Sequence, residues 1–405
     1  MSLASSATLQ KRKHPGSPLE VLLVFARMGF TCFGGPIAHI GYFREEFVVR
    51  RRWLDERAYV DLVALCQFLP GPASSQVGFS LGLMRGGYLG GLAAWLGFTL
   101  PSAIALVLFA FGAGILQGPA GTGLLHGLKL VAVAIVAQAV LGMARSLCPD
   151  RTCASIATLA LIAMTVSTGS FSQIATIVLG GLAGLAFCRS QAETAPDSVP
   201  FPVSRSMGIV SLALFFALLA LSFALIREGA FALFSAFYRS GALVFGGGHV
   251  VLPLLQNAVV APGWVSDSSF LAGYGAAQAV PGPLFTFAAY LGAVANVPPG
   301  GIAGAVIALV AIFVPGILAL LGTLPFWHDL RAHPDTRAAM AGINAAVVGL
   351  LAAALYNPVW TSAVQSSADF AVAAAGFVLL VVWRAPPLLV VLLCAAAGVG
   401  LGVMY

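Results

Sequence analysis

The chain has 405 residues, of which 60% are apolar and 8% are Asp, Glu, Lys or Arg, where a soluble domain averages roughly 25% charged residues. That balance excludes a disordered chain, a nucleic-acid binder and an ordinary soluble enzyme. The net charge of +6 then reads as Lys and Arg retained on the cytoplasmic side of a lipid bilayer.

Residues 1–17 carry Lys11, Arg12 and Lys13 but no compact apolar stretch with a cleavage site, and read as a cytoplasmic tail. From Pro18 an apolar helix is expected, with Arg27 inside it and Phe33-Gly34-Gly35-Pro36 breaking it. A second segment, from Arg57 to Met84, is broken at Leu69-Pro70-Gly71-Pro72. Proline removes a backbone donor and glycine permits sharp turns, so both sites interrupt a helix. Charge-free intervals follow from Arg85 to Lys129 and from Arg151 to Arg189. Others run from Asp267 to Asp329, from Arg337 to Asp369, and onward from Arg384. Each holds a run able to cross about 30 Å of hydrocarbon as a helix of roughly 20 residues. The alternating ten-residue strands of a membrane β-barrel are not the pattern here. Cys148 and Cys153 share a loop without a His nearby, which argues against a metal site, and no cofactor motif is evident.

The chain also repeats itself. FARMGFTCFGGP at 25–36 aligns with FYRSGALVFGGG at 237–248. In the same order Trp53 pairs with Trp264, Gln67 with Gln278, and Pro70-Gly71-Pro72 with Pro281-Gly282-Pro283. Farther on, Pro101 answers Pro315, Gly127 answers Gly342, and Gly184 answers Gly398. The repeats cover 18–190 and 230–405. Between them, 191–229 supplies a Pro/Ser-rich linker and an extra apolar run, Ser206–Ile226.

One added span would invert the second repeat, and loop charge agrees. Arg44, Arg50, Arg51, Arg52 and Arg57 crowd 41–57, whereas the counterpart 253–268 has no Lys or Arg. Conversely 114–123 is uncharged, while 328–337 holds Arg331 and Arg337. Arg145 and Arg151 bracket a loop whose counterpart, 358–368, has neither Lys nor Arg. The expected fold is therefore an all-α polytopic membrane protein of two inverted-topology halves with broken or re-entrant helices. Its N-terminus lies in the cytoplasm and its C-terminus outside. Parallel halves are the competing arrangement.

Paired interruptions in two halves point to a transporter's binding site. Non-helical backbone at membrane depth survives only where protein buries it or water reaches it. Pro72 and Pro283 sit where new helices start, and free N–H groups there attract anions. Ser74, Ser75 and Thr286 add hydroxyls in those first turns. Arg27 and Arg239 hold equivalent positions inside apolar runs, and a guanidinium fork suits a tetrahedral oxyanion. Snorkelling to an interface is the alternative. Lys129 is a third cation within an apolar run, with Asn344 as its counterpart. The expected substrate-binding set also includes Gly34, Gly35, Pro36, Gly246, Gly247, Gln67, Gly71, Gln278 and Gly282. His39 and His249 follow the two double glycines without aligning. A proton-linked role and a structural one both stand.

These motifs resemble the chromate ion transporter family in its long two-domain form. FGGP, the W-L-x-E loop, LPGP after Gln67, and FGGGH with Q-A-V-P-G-P in the second half carry the resemblance. It spans 18–405. The resemblance implies export of chromate across a bacterial inner membrane, chromate resistance, and sulfate as a competing analogue. It leaves a homodimer open as an assembly. Gly248, where the first half has Pro36, departs from the repeat. The chain has no phosphate-binding GxxxxGK[ST] loop, so a secondary carrier is expected rather than an ATP-driven pump. A sulfate importer or exchanger, a channel, and an intramembrane lipid-phosphate enzyme are the other readings.

Overall fold

A computed structural model describes residues 16–33, 35–113, 118–166, 172–188, 202–223, 229–245 and 248–404. Every described element is helical. The first half comprises α1 (Pro18–Thr31), α2 (Gly35–Phe43), α3 (Glu56–Phe68), α4 (Ala73–Ala113), α5 (Pro119–Leu147), α6 (Arg151–Val166) and α7 (Ser172–Phe187). The extra helix is α8 (Arg205–Leu221). The second half comprises α9 (Gly229–Ala242), α10 (Val251–Val259), α11 (Asp267–Ala279), α12 (Phe287–Val294) and α13 (Gly301–Thr323). It continues through α14 (Trp327–Ala332), α15 (Pro334–Ala354), the single turn α16 (Thr361–Ala363), α17 (Ser367–Val381) and α18 (Pro387–Met404). Among the described residues, four helical stretches are long and apolar enough to cross a membrane: 73–112, 119–147, 301–326 and 334–363.

Local chemistry sets the helix starts. The Ser17 hydroxyl accepts from the Glu20 amide at the start of α1, and the Asp55 carboxylate accepts from the Ala58 amide at the start of α3. Both caps satisfy N–H groups that a helix leaves without partners. The sequence did not reveal what happens at the breaks. With 14 residues, α1 rises only about 21 Å, and then the chain turns back. Phe25 of α1 packs against Phe43 beyond the break, with ring centroids 5.6 Å apart. The FGGP break is therefore the tip of a re-entrant hairpin.

The next segment does the same. It runs in along α3, turns at Pro70-Gly71-Pro72, and returns along the first arm of α4. Arg85, at the end of that arm, lies over the ring of Trp53, which precedes α3, at 5.3 Å. A bond from the Asn296 amide to the Trp264 carbonyl (2.9 Å) closes the equivalent base in the second half. Within α4, Gly86 (φ −134°, ψ 21°) and Gly87 (φ 65°, ψ −161°) leave the helical region. Gly82 and Gly90 then approach so closely that neither has room for a Cβ beside the other's carbonyl. A straight helix would hold them about 12 Å apart. The stretch 73–113 is thus two arms, 73–85 and 88–113, divided close to Met84, where the second segment is expected to end.

The halves interlock. Gly123 and Gly127 of α5 press on Gly398 and Cys394 of α18, while Gly184 of α7 presses on Ala338 and Gly342 of α15. The repeated glycines pair across the halves: Gly127 with Gly398, and Gly342 with Gly184. Small residues allow such backbone approach between membrane helices. The extra helix α8 covers α9, where the Tyr238 hydroxyl donates to the Phe215 carbonyl at 3.0 Å.

Candidate functional site

The hairpin tips of the two halves meet. The Gly71 amide donates to the Val244 carbonyl at 2.8 Å, and the Gly282 amide donates to the Cys32 carbonyl at 2.9 Å. Val244 is the repeat counterpart of Cys32, and Gly282 of Gly71. Each PGP tip therefore bonds the glycine break of the opposite half, the reciprocity of a two-fold contact. The same relation holds in the packing. A Cβ on Gly71 would fall 2.8 Å from Gly316 Cα, and one on Gly282 would fall 2.8 Å from Ser102 Oγ. Ser102 and Gly316 are again counterparts, each one residue past the proline of its helix. Gly71 (φ 111°) and Gly282 (φ 104°) both occupy backbone conformations that favour glycine.

On the pseudo-axis the counterparts touch each other. A Cβ on Gly248 would come 2.9 Å from Pro36 Cγ. This gives a steric reason for the departure seen in the sequence, because the crossing has room for one proline ring. The flanking residues Gly34, Gly246 and Gly247 lie outside the described residues.

Polar groups gather beside the tips, mostly from the first half. Ser74, Ser75, Gln76 and His39 are all buried, and His39 is 0% exposed. His39 Nδ1 stands 3.5 Å from Ser74 Oγ, and its ring meets Phe98 edge-on at 5.1 Å. Gln76 Nε2 donates to the carbonyls of Pro70 and Gly316, each at 2.9 Å. Buried atoms left without a hydrogen-bond partner include His39 Nε2, Ser75 Oγ, Gln76 Oε1, Ser80 Oγ and Thr99 Oγ1. Buried polar atoms are normally paired with protein or water. A cluster of unpaired ones is a place for a polar guest.

The family profile described as chromate transporter matches residues 19–185 and 231–399. The chain belongs to the chromate transporter family. It is a multi-pass helical membrane protein built from two copies of that family's repeat, and α8 falls between the two matched segments. A chromate transport protein of Pseudomonas aeruginosa is 29% identical over 416 residues, covering 98% of this chain and 95% of its own. That of Cupriavidus metallidurans is 25% identical over 346 residues, covering 83% and 81%. An uncharacterized transporter of Methanocaldococcus jannaschii is 27% identical over 350 residues, covering 85% of each chain. No solved structure matches.

The remaining site residues expected from sequence are placed unevenly. Arg27 lies on an exposed face of α1 with Leu23 and Phe30, a little under two turns before the tip. Arg239 is half-buried, its guanidinium 5.4 Å from the Phe223 ring centroid. Gln67 is exposed, whereas Gln278 is half-buried with Nε2 enclosed and unpaired. Thr286 Oγ1 donates to the Pro283 carbonyl at 2.7 Å, and the chain leaves Pro283 as a short 3-10 turn before α12. Pro72 precedes α4 by one residue. His249 Nδ1 is 2.8 Å from the Tyr274 hydroxyl. Lys129 is half-buried on α5, one turn past His126, which pairs at 2.7 Å with Asp369. That carboxylate also accepts from the Gln365 amide near the start of α17. The repeat comparison does not reveal Gln76, because its counterpart is Phe287. Its signal was the position alone, four residues after a helix-starting proline.

Proposed function

We propose that this protein is a secondary carrier that exports chromate, or a closely similar tetrahedral oxyanion, from a bacterial cytoplasm across the inner membrane and thereby confers resistance. The observation that carries this reading is the reciprocal meeting of the four broken segments beside unpaired hydroxyl, imidazole and amide groups. The helix start at Ala73, beside the tips, orients its dipole and first-turn N–H groups toward an anion. Ser74, Ser75 and His39 stand next to that start. Arg27 and Arg239, a little under two turns before the tips, add positive charge along the approach. The names of the Pseudomonas and Cupriavidus relatives favour chromate as the cargo.

The halves are read as inverted. Their two-fold relation fits an axis in the membrane plane, and the arginine-rich segment 44–57 on one hairpin base has a counterpart without Lys or Arg. Export needs no ATP. Moving a dianion out along an inside-negative potential of about 100 mV yields about 4.6 kcal/mol, at roughly 2.3 per charge. That sustains an outward gradient of roughly 2,000-fold.

The experiment is chromate uptake into energised everted membrane vesicles, where export appears as uptake. Vesicles carrying the protein are expected to accumulate chromate, to lose the accumulation with an uncoupler, and to slow when sulfate competes. Uptake no greater than in vesicles without the protein overturns the proposal. Flux only in the opposite direction replaces export with import.

A further inference from the structure

The two halves share a plan but not their surroundings. Along α3, Val60, Val63, Ala64 and Gln67 form one helical stripe, the i, i+3, i+4, i+7 spacing of a single face. Val60 is 58% exposed, Ala64 and Gln67 are exposed, and Val63 is half-buried. Their counterparts on α11 are Leu271, Tyr274, Gly275 and Gln278. Leu271 and Tyr274 are both 0% exposed, Gly275 is buried, and Gln278 is half-buried. The α11 face is closed against α5, where Gly275 lies on the Leu128 backbone without room for a Cβ. The main packing partners of α11 include α5 and α18, whereas those of α3 are α4 and the π-helical turn at Arg44–Arg50.

The core divides in the same way. One cluster of buried side chains joins the second-half hairpins to α5, α15, α17 and α18. A separate cluster holds the first-half hairpins, from Val21 to Phe98, together with Leu320, Leu324 and Trp327. Two helices pass between the clusters. In α4, Phe98 belongs to the first-half cluster and Ala103 to the other. In α13, Leu320 belongs to the first-half cluster, and Ile312 and Phe313 to the other. Each helix carries a proline near the division, Pro101 in α4 and Pro315 in α13. Proline removes an intrahelical hydrogen bond, so helices bend there at little cost.

We infer that the structure is the cytoplasm-open state of the carrier, and that the α3 face Val60-Val63-Ala64-Gln67 lines the cargo's entry route. The first-half hairpins are the moving body, and Pro101 and Pro315 are its hinges. This rests on the proposed carrier function. The open side follows from the base of α3, which adjoins Arg50, Arg51 and Arg52 and lies inside by the positive-inside bias. The occupant of the α3 face in the opposite state follows from the repeat. Gly275 packs on Leu128, so Ala64, the counterpart of Gly275, is to pack on Ile343, the counterpart of Leu128. The α11 face then leaves α5 and opens the outer half of the route. A lipid-facing role fits the stripe poorly, because its counterpart is buried inside the protein and Gln67 lies on it.

Single cysteines in a background with the six native cysteines replaced test this. A membrane-impermeant thiol reagent added to everted vesicles is expected to label Val60→Cys and Ala64→Cys fully and to leave Leu271→Cys unlabelled. With Ala64→Cys and Ile343→Cys together, an oxidant is expected to form a disulfide that stops chromate flux, and a reductant to restore it. Labelling of Ala64→Cys by lipid-soluble maleimide alone makes the face a lipid surface and overturns the inference. So does a pair that never cross-links in a cysteine-replaced protein that still transports. If that background moves no oxyanion while the labelling pattern holds, the carrier reading fails and the open geometry stands.

Discussion

Gln76 ties the PGP tip of one half to the proline helix of the other, and replacing it tests whether the tips act as one unit. Its amide donates to the Pro70 and Gly316 carbonyls at 2.9 Å each, and the side chain is 1% exposed. Gln76→Leu keeps the volume and removes both bonds. Each is worth about 1 kcal/mol net, and each carbonyl left dry adds about 1–3 kcal/mol where water does not reach it. Burial of the leucine returns roughly 1–2 kcal/mol. The expected loss is about 2–7 kcal/mol, a large share of the 5–15 kcal/mol typical of a folded protein. The assay is a detergent-denaturation midpoint on the purified protein, paired with chromate uptake in everted vesicles. Gln76→Asn, too short to reach both carbonyls, should lose less stability than Gln76→Leu. A wild-type midpoint with wild-type uptake in Gln76→Leu would refute the view that this side chain fastens the two halves.

Gly282→Ala meets both a φ of 104° and Ser102 Oγ 2.8 Å from the added carbon. It should cost at least about 1–2 kcal/mol from the backbone alone and abolish uptake, measured in the same vesicles against membrane yield. Arg27→Ala and Arg239→Ala should each abolish chromate uptake while the protein stays in the membrane, with Arg239→Lys retaining part of it; normal uptake removes that arginine from the approach. Gly398→Leu, pressed between the backbone atoms of Gly123 and Gly127, should separate α5 from α18 and lower the yield of folded protein on size-exclusion chromatography. The counterpart Gly184→Leu should do the same through α15.

Much of this architecture was legible because the informative residues are unusual ones. Leu, Ala and Val recur by chance in an apolar chain, whereas Arg27, Trp53, Gln67 and the PGP triplets recur only with a shared plan. The breaks were visible because Gly and Pro act on the backbone itself. Direction of travel was not. Phe25 and Phe43 meet only because the chain reverses at FGGP, and no local signal separates a reversed helix from a kinked one. The segment end at Met84 was legible because Arg85 stands there, but the reversal at Gly86–Gly87 was not. Cross-half pairing, such as Gly71 with Val244, depends on docking two distant segments. The unequal exposure of α3 and α11 reflects a conformational state, which one sequence encodes together with its opposite.

Re-entrant tips also set the electrostatic problem that a dianion faces. Arms of 14 residues in α1 and 13 in α3 rise about 20 Å, more than half of a hydrocarbon core of about 30 Å. With the halves inverted as proposed, the hairpins enter from opposite faces and meet near the middle, and the anion meets backbone donors at the depth where desolvation costs most. On the proposed reading, water fills the half beside the α3 face and protein fills the half beside the α11 face. The transmembrane potential then falls mainly across the closed half, so the step that carries the charge through the field is the exchange of those two faces. Slowing that exchange with the Ala64→Cys and Ile343→Cys cross-link should remove the dependence of flux on potential together with the flux. A slow residual flux that still follows the potential would mean that the anion passes without the first-half hairpins moving.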